Sequence, residues 1–273
     1  MKKDRKLLLL DVLMLPFCLV TLFPFYYMVI NTFKTSMDAN ENPLSLPGAF
    51  TLENYKQVFA QTPVFQSFFN SLFITACSVL LIVLIGAMAA YPIVYNPSKW
   101  MKIAMYYLLC GFLIPFQSTL IPLFELMRDL NLVNTMSGLI VFYTSGSVFS
   151  FFLIMGYMRT VPKELGEAAI IDGCSVGKIF WVIILPLLRP ITTTALIYHT
   201  MWIWNDFLAP MLFLNTRKKA TLVLEIYQAR GQFSVDWPSF MSLTVLVLLP
   251  ILVFFIVMQK HIIKGLVGGA MKG

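Results

Sequence analysis

Six stretches of this chain stay apolar for about 20 residues or more, the length a helix needs to cross the hydrocarbon of a bilayer. They fall near residues 8–30, 70–95, 103–124, 137–158, 188–213 and 241–260. Lipid offers a peptide group no hydrogen-bonding partner, so each stretch must satisfy its own backbone, and a helix does this within one segment. The expected fold is an all-α integral membrane protein with six transmembrane helices, laid out as one domain over 1–273. Composition agrees: 12% of residues are charged, against about a quarter in a soluble domain.

Lys2, Lys3, Arg5 and Lys6 precede the first apolar run as in a signal peptide. That run is too long for a signal core and has no small-x-small cleavage site, so it is read as a retained span. Prolines recur within or beside the spans (Pro16, Pro24, Pro92, Pro115, Pro122, Pro210, Pro250), each removing a backbone donor and favouring a kink. Cys18, Cys77, Cys110 and Cys174 show no disulfide or metal spacing and read as small apolar fillers.

The net charge of +7 does not indicate nucleic acid, because the basic residues sit in short segments between spans, where they set topology. Their excess on alternate segments places both termini in the cytoplasm. Arg217-Lys218-Lys219, on the outer side in this layout, is an exception. The long outer segments 31–69 and 215–240 either cap the bundle or meet an extracellular partner.

Residues 162–187, between the fourth and fifth spans, are too charged for lipid and too patterned for a free loop. Pro162 opens a short helix from Lys163 to Ile171. Glu164 and Glu167 share a face in its first turns, where acids suit the helix dipole. Ala168 and Ala169 keep the helix slim enough for a partner's backbone to approach. Gly173 suits the left-handed end of the helix, and Ser175 suits the N-cap of a second. In that second helix Val176, Ile179, Phe180 and Ile183 form one apolar stripe. Pro186 and Pro190 end it. Such a hairpin either docks a cytoplasmic partner or lies on the membrane without one.

Polar residues within spans mark candidate positions on a translocation path: Tyr143, Ser147, His199, Trp202 and Asp206. His199 either lines a pore or makes a helix–helix hydrogen bond. Asp206 lies near the outer end of its span, where a structural role suits it. The small polar run from Tyr143 to Ser150 serves close helix packing as well as cargo contact. No catalytic or metal constellation accompanies them. Gly173-x-x-x-Gly177-Lys178-Ile179 is one residue short of a phosphate loop and lacks the hydroxyl residue after Lys.

Glu167-Ala168-Ala169, then Gly173, then Ile183-x-Leu185-Pro186 resembles the EAA motif of ABC importer permeases, and Asp172 fits its sugar-importer version. Most of the chain resembles the second permease subunit of maltose-type carbohydrate importers. The matches include Asn70-Ser71-Leu72, Ile121-Pro122-Leu123-Phe124, Leu132-Val133-Asn134-Thr135, the lead-in Arg159 to Leu165, and Trp204-Asn205-Asp206-Phe207-Leu208. Three positions depart from the pattern. Gly166 stands where an acid is common, Asn131 where Gly is frequent, and Asp206 where Glu is frequent.

The resemblance implies a type I importer permease fold in a bacterial cytoplasmic membrane, with a coupling helix between spans four and five. It implies a second permease subunit, two ATPase subunits and an extracellular solute-binding protein as partners. ATP and magnesium would belong to the ATPase, with no cofactor in this chain. The EAA residues would contact the ATPase, and the tail 261–273, from Gly265 onward, would add to that contact. A self-sufficient secondary transporter or channel is the rival from another class. A glycerol phosphate is the rival cargo.

Overall fold

The structure is a computed structural model that describes the backbone of residues 2–232 and 236–270, and the side chains of residues 12–229 and 236–260. Every regular element among the described residues is helical. The chain divides into two compact units, Met1–Phe65 with Leu224–Pro250, and Gln66–Val223 with Ile251–Gly273.

The first unit begins with α1 (Lys2–Asn31), which leaves Leu15, Phe17, Leu19, Val20 and their neighbours exposed, as a helix bathed in lipid does. The segment after it is folded. Two short helices, α2 (Ser36–Glu41) and α3 (Glu53–Gln61), are tied back to the end of α1. Asn54 Nδ2 donates to the carbonyls of Thr32 and Lys34 at 2.8 Å each, and Tyr55 Oη donates to Thr32 Oγ1 at 3.0 Å. Lys34 is wholly buried and donates through Nζ to the Asn42 carbonyl. Phe33 stacks on Phe50 with centroids 4.8 Å apart. The aromatics spaced along 31–69 thus hold this segment closed. Asp236 accepts from Ser36 Oγ at 2.9 Å and Ser239 Oγ at 2.6 Å, tying the segment to the start of the last helix.

The second unit holds the main apolar core. Its helices are α4 (Val64–Tyr95), α5 (Lys99–Phe112), α6 (Leu120–Asp129), α7 (Met136–Thr144), α8 (Ser147–Met158) and α9 (Glu164–Ile171). Beyond a turn come α10 (Val176–Lys178), a π-helical turn (Ile179–Ile184), α11 (Leu185–Leu187), α12 (Arg189–Asn205) and α13 (Leu208–Phe213). Most of α14 (Leu222–Gln232) and the first part of α15 (Trp237–Ala270), to Pro250, belong to the first unit. Ile82, Leu139, Ile154, Met158, Ile184 and Leu188 are fully buried in the core. A Cβ on Gly86 would stand 3.0 Å from Phe151 N and Ser150 Cβ, so α4 and α8 meet almost backbone to backbone.

Two expected spans are broken. The stretch 103–124 is not one helix: α5 stops at Phe112, and the chain turns 90° before Phe116–Asp129. Pro115 sits in the break, its missing N–H leaving the helix without its next bond. The stretch 137–158 has only a short turn at Ser145-Gly146 between α7 and α8, and Met136–Met158 still runs as one span. The stretch 188–213 divides at Asp206-Phe207. At the other end, helix continues beyond 260 as far as Ala270, and 271–273 lie outside the described residues.

Polar side chains fasten the loops of this unit. Asn131 and Asn134 both take positive φ, 56° and 57°, so Asn131 serves the turn that Gly often fills. Asn134 closes a knot. Its N–H donates to the Phe213 carbonyl at 2.7 Å, its Nδ2 to Thr216 Oγ1 at 2.9 Å, and its Oδ1 accepts from the N–H groups of Asn215 and Thr216. Lys219 Nζ donates to the Asn134 carbonyl. Asn70 Nδ2 donates to the carbonyls of Lys218 and Ala220, and Ser71 Oγ accepts from Leu222 N at 2.8 Å. The Asn70-Ser71 and Leu132–Thr135 motifs therefore hold the basic triplet in place. Lys219 is engaged inside this knot.

Candidate coupling site and translocation path

The insert is built as two helices around one sharp turn. Glu164–Ile171 ends in a Schellman motif: Cys174 N donates to the Ala169 carbonyl and Gly173 N to the Ile170 carbonyl, at 2.9 and 3.0 Å. Gly173 has φ of 77°, the conformation this motif requires. Ser175 Oγ then accepts from Lys178 N, capping the second helix.

Glu164, Glu167, Ala168, Asp172 and Gly173 are exposed, with Ile170 and Ile171 beside them. Ile171 is 86% exposed, although an isoleucine gains by burial, so this face has the character of an unfilled interface. Two positions differ from expectation. Ala169 is buried and packs inward, leaving Ala168 as the small outward residue. Gly166 also faces inward, with Tyr95 Cε1 3.5 Å from where its Cβ would be. The face of α9 turned to its own bundle is the one made of small residues.

The second helix departs from simple helical spacing. Val176 is 64% exposed and Ile183 half-buried, so they do not complete the expected stripe. Ile179, Phe180, Ile184 and Leu188 are the buried residues. The cause is the π-helical turn: Leu185 N donates to the Phe180 carbonyl, five residues back, which moves the buried face on by one position. Pro186 follows directly; in an α-helix its ring would crowd the Val182 carbonyl, and a wider turn relieves this. Leu185 is half-buried against the core and Pro186 is exposed. The chain then bends by 74° at Leu188, between the two prolines, into α12.

The polar residues of the spans are mostly turned into protein. His199 is 2% exposed, and its Nε2 lies 2.9 Å from Ser150 Oγ, joining α12 to α8. Thr192 Oγ1 bonds back to the Leu188 and Arg189 carbonyls of its own helix. Tyr143 Oη donates to Asp206 Oδ2 at 2.8 Å, and Asp206 Oδ1 accepts from Leu208 N at 2.9 Å. Asp206 thus holds the break between α12 and α13 and anchors it to α7. Ser147 is half-buried at the start of α8.

Trp202 differs, being 46% exposed. It lines an open hollow of about 490 Å³ with Tyr107, Phe112, Phe116, Phe142 and Ser145. The span break at Leu113–Pro115 and the turn at Ser145-Gly146 border this hollow. Non-helical backbone at membrane depth is tolerated only inside protein or beside water. Sequence reading found Trp202 and the run containing Ser145 but overlooked Tyr107, Phe112, Phe116 and Phe142, because aromatics in an apolar run look like core. The Gly111 and Pro115 that bracket the break were the available signal.

A bundle of apolar helices with breaks in its spans, a hollow at one of them and a short helix with exposed isoleucines between α8 and α12 has the architecture of a type I importer permease. The chain belongs to the family of binding-protein-dependent transport system inner membrane components, whose profile matches residues 82–267. It is 38% identical over 260 residues to the multiple sugar-binding transport system permease protein MsmG of Streptococcus mutans, covering 93% of each chain. It is 33% identical over 252 residues to the melibiose/raffinose/stachyose import permease protein MelC of Bacillus subtilis, covering 92% of this chain and 91% of that one. Its fold matches a chain in the crystal structure of a bacterial ABC transporter involved in the import of the acidic polysaccharide alginate. That match has a TM-score of 0.82 at 20% identity and covers 95% and 98% of the two chains. The protein is a multi-pass membrane permease of a binding-protein-dependent ABC importer.

Proposed function

We propose that this chain moves a sugar or oligosaccharide inward as one of two permease subunits, driven by a pair of separate ATPase subunits and supplied by an extracellular binding protein. The cargo class follows the sugar importers among its relatives. The observation that carries the coupling role is the exposed face of α9, where Glu167, Ala168, Ile170 and Ile171 stand out beside a rigid Schellman cap. A charged group flanked by apolar side chains suits a cleft in a soluble partner, and the fixed cap transmits a push without absorbing it. In this reading α9 and both termini face the cytoplasm, ATP and magnesium bind the ATPase, and the chain catalyses nothing itself.

Trp202 is the cargo contact in this reading. Its indole and the neighbouring rings offer flat faces of the kind on which sugar rings pack. Tyr143, His199 and Asp206 hold the walls. The test is purification from membranes followed by uptake in proteoliposomes. An ATPase should co-purify, and uptake should need both ATP and the loaded binding protein. Uptake by the chain alone on an ion gradient would replace this reading with a secondary transporter. Uptake of glycerol phosphate but no sugar would replace the cargo.

A further inference from the structure

Gly166 looks from sequence like a missing charge on the docking helix. In the structure it is a seat: Tyr95 Cε1 and Cδ1 lie 3.5 and 3.8 Å from its Cβ position, at ordinary van der Waals contact. Tyr95 is the last residue of α4. One turn earlier, Tyr91 packs on Tyr95 with centroids 5.0 Å apart and against the edge of Phe180 at 5.3 Å. Phe180 is 5% exposed and belongs to the π-helical turn on which α9 also packs. A continuous aromatic contact thus runs from the docking helix to the end of the second span and back to the insert. In the chain α9 is joined to α8 and, across the Gly173 turn, to α10, and the Tyr95–Gly166 contact ties it sideways to α4.

The contact is packed but not latched. Tyr95 Oη is buried with no hydrogen-bond partner among the described residues, and Gly166 presents bare backbone. Packing alone, with no directional bond, holds the ring over the glycine. The adjoining π-helical turn is a form often found at functional sites.

Resting on the coupling role given above for α9, we propose that Tyr95, seated on Gly166 and backed by Tyr91 and Phe180, is a positioning residue that carries the docking helix's displacement into the second span. The test uses the full complex, with its ATPases and binding protein, in proteoliposomes, and reads sugar taken up per ATP hydrolysed. Tyr95→Ala empties the seat and is expected to lower that ratio by about tenfold, the scale at which a coupling contact acts, with hydrolysis little changed. Tyr95→Phe keeps the packing and should keep the ratio. Gly166→Leu, which pushes the ring out of its seat, should uncouple like Tyr95→Ala, and serves where that variant assembles poorly. An unchanged ratio in both Tyr95→Ala and Gly166→Leu would overturn the joint alone, as would uptake and hydrolysis falling in proportion. A wild-type complex without an ATPase would instead overturn the coupling role, and the joint with it.

Discussion

Gly173 and Gly138 are demanding for opposite reasons. At Gly173 a Cβ would meet nothing within 4 Å, so space is free and only the φ of 77° excludes other residues. Gly173→Asn should therefore be mild, since Asn131 and Asn134 already hold the same conformation in this chain. Gly173→Val should destabilise the turn by roughly 1–3 kcal/mol and reduce ATPase recovery on purification, read by the yield of the intact complex. At Gly138 a Cβ would fall 2.1 Å from the Leu132 carbonyl, so even alanine must open the turn ahead of α7. Gly138→Ala should lower the melting temperature of the detergent-purified protein. Gly173 was legible in the EAA spacing. Gly138 was not, because a glycine in an apolar run gives no sign of what lies against it. Glu167→Arg tests the outward charge. It should leave the fold intact, judged by gel filtration, while reducing ATP-driven uptake.

Among the elements, α4, α8 and α12 meet closely. Gly86 lets α4 onto Ser150, and Ser150 reaches His199 on α12. His199 Nδ1 has no partner among the described residues, so Ser150→Ala would leave the whole ring unpaired in the core. That change should cost about 1–3 kcal/mol, seen as a lowered melting temperature with uptake per ATP unchanged. Gly86→Leu should be worse, because backbone on the opposing helix cannot yield. Spacing alone left His199 between pore and helix contact. Burial and the 2.9 Å distance to Ser150 identify the contact. The π-helical turn was illegible for a related reason. Periodicity assumes 3.6 residues per turn, and one wide turn moved the buried set from Val176 and Ile183 to Ile184 and Leu188.

At the scale of the whole molecule, the apolar segments were plain in the sequence, since lipid enforces them residue by residue; among the described residues four run as unbroken membrane-length helices, and six are reached only if each of two bent pairs counts as one span. Where those segments break was not plain. Pro92 and Pro250 lie inside continuous helices while Pro115 lies at a 90° turn, so proline alone does not distinguish a kink from a stop. At Pro115 the groups freed by the turn are taken up locally, Ser118 donating to the Pro115 carbonyl through both N–H and Oγ. The hollow around Trp202 borders that turn. Trp202→Ala should slow uptake while leaving ATPase association unchanged, measured by initial rates in proteoliposomes.

The knot at Asn134 has a consequence for biogenesis. Its partner Thr216 lies 82 positions along the chain, and the stretches Met136–Met158 and Val176–Asn205 intervene. Neither half of the knot can close while those segments are still being threaded into the bilayer. It therefore ties late, after the ribosome has passed the basic triplet. A chain in which one of these two segments failed to cross would leave Asn134 and Lys219 on opposite sides of the membrane, unable to meet.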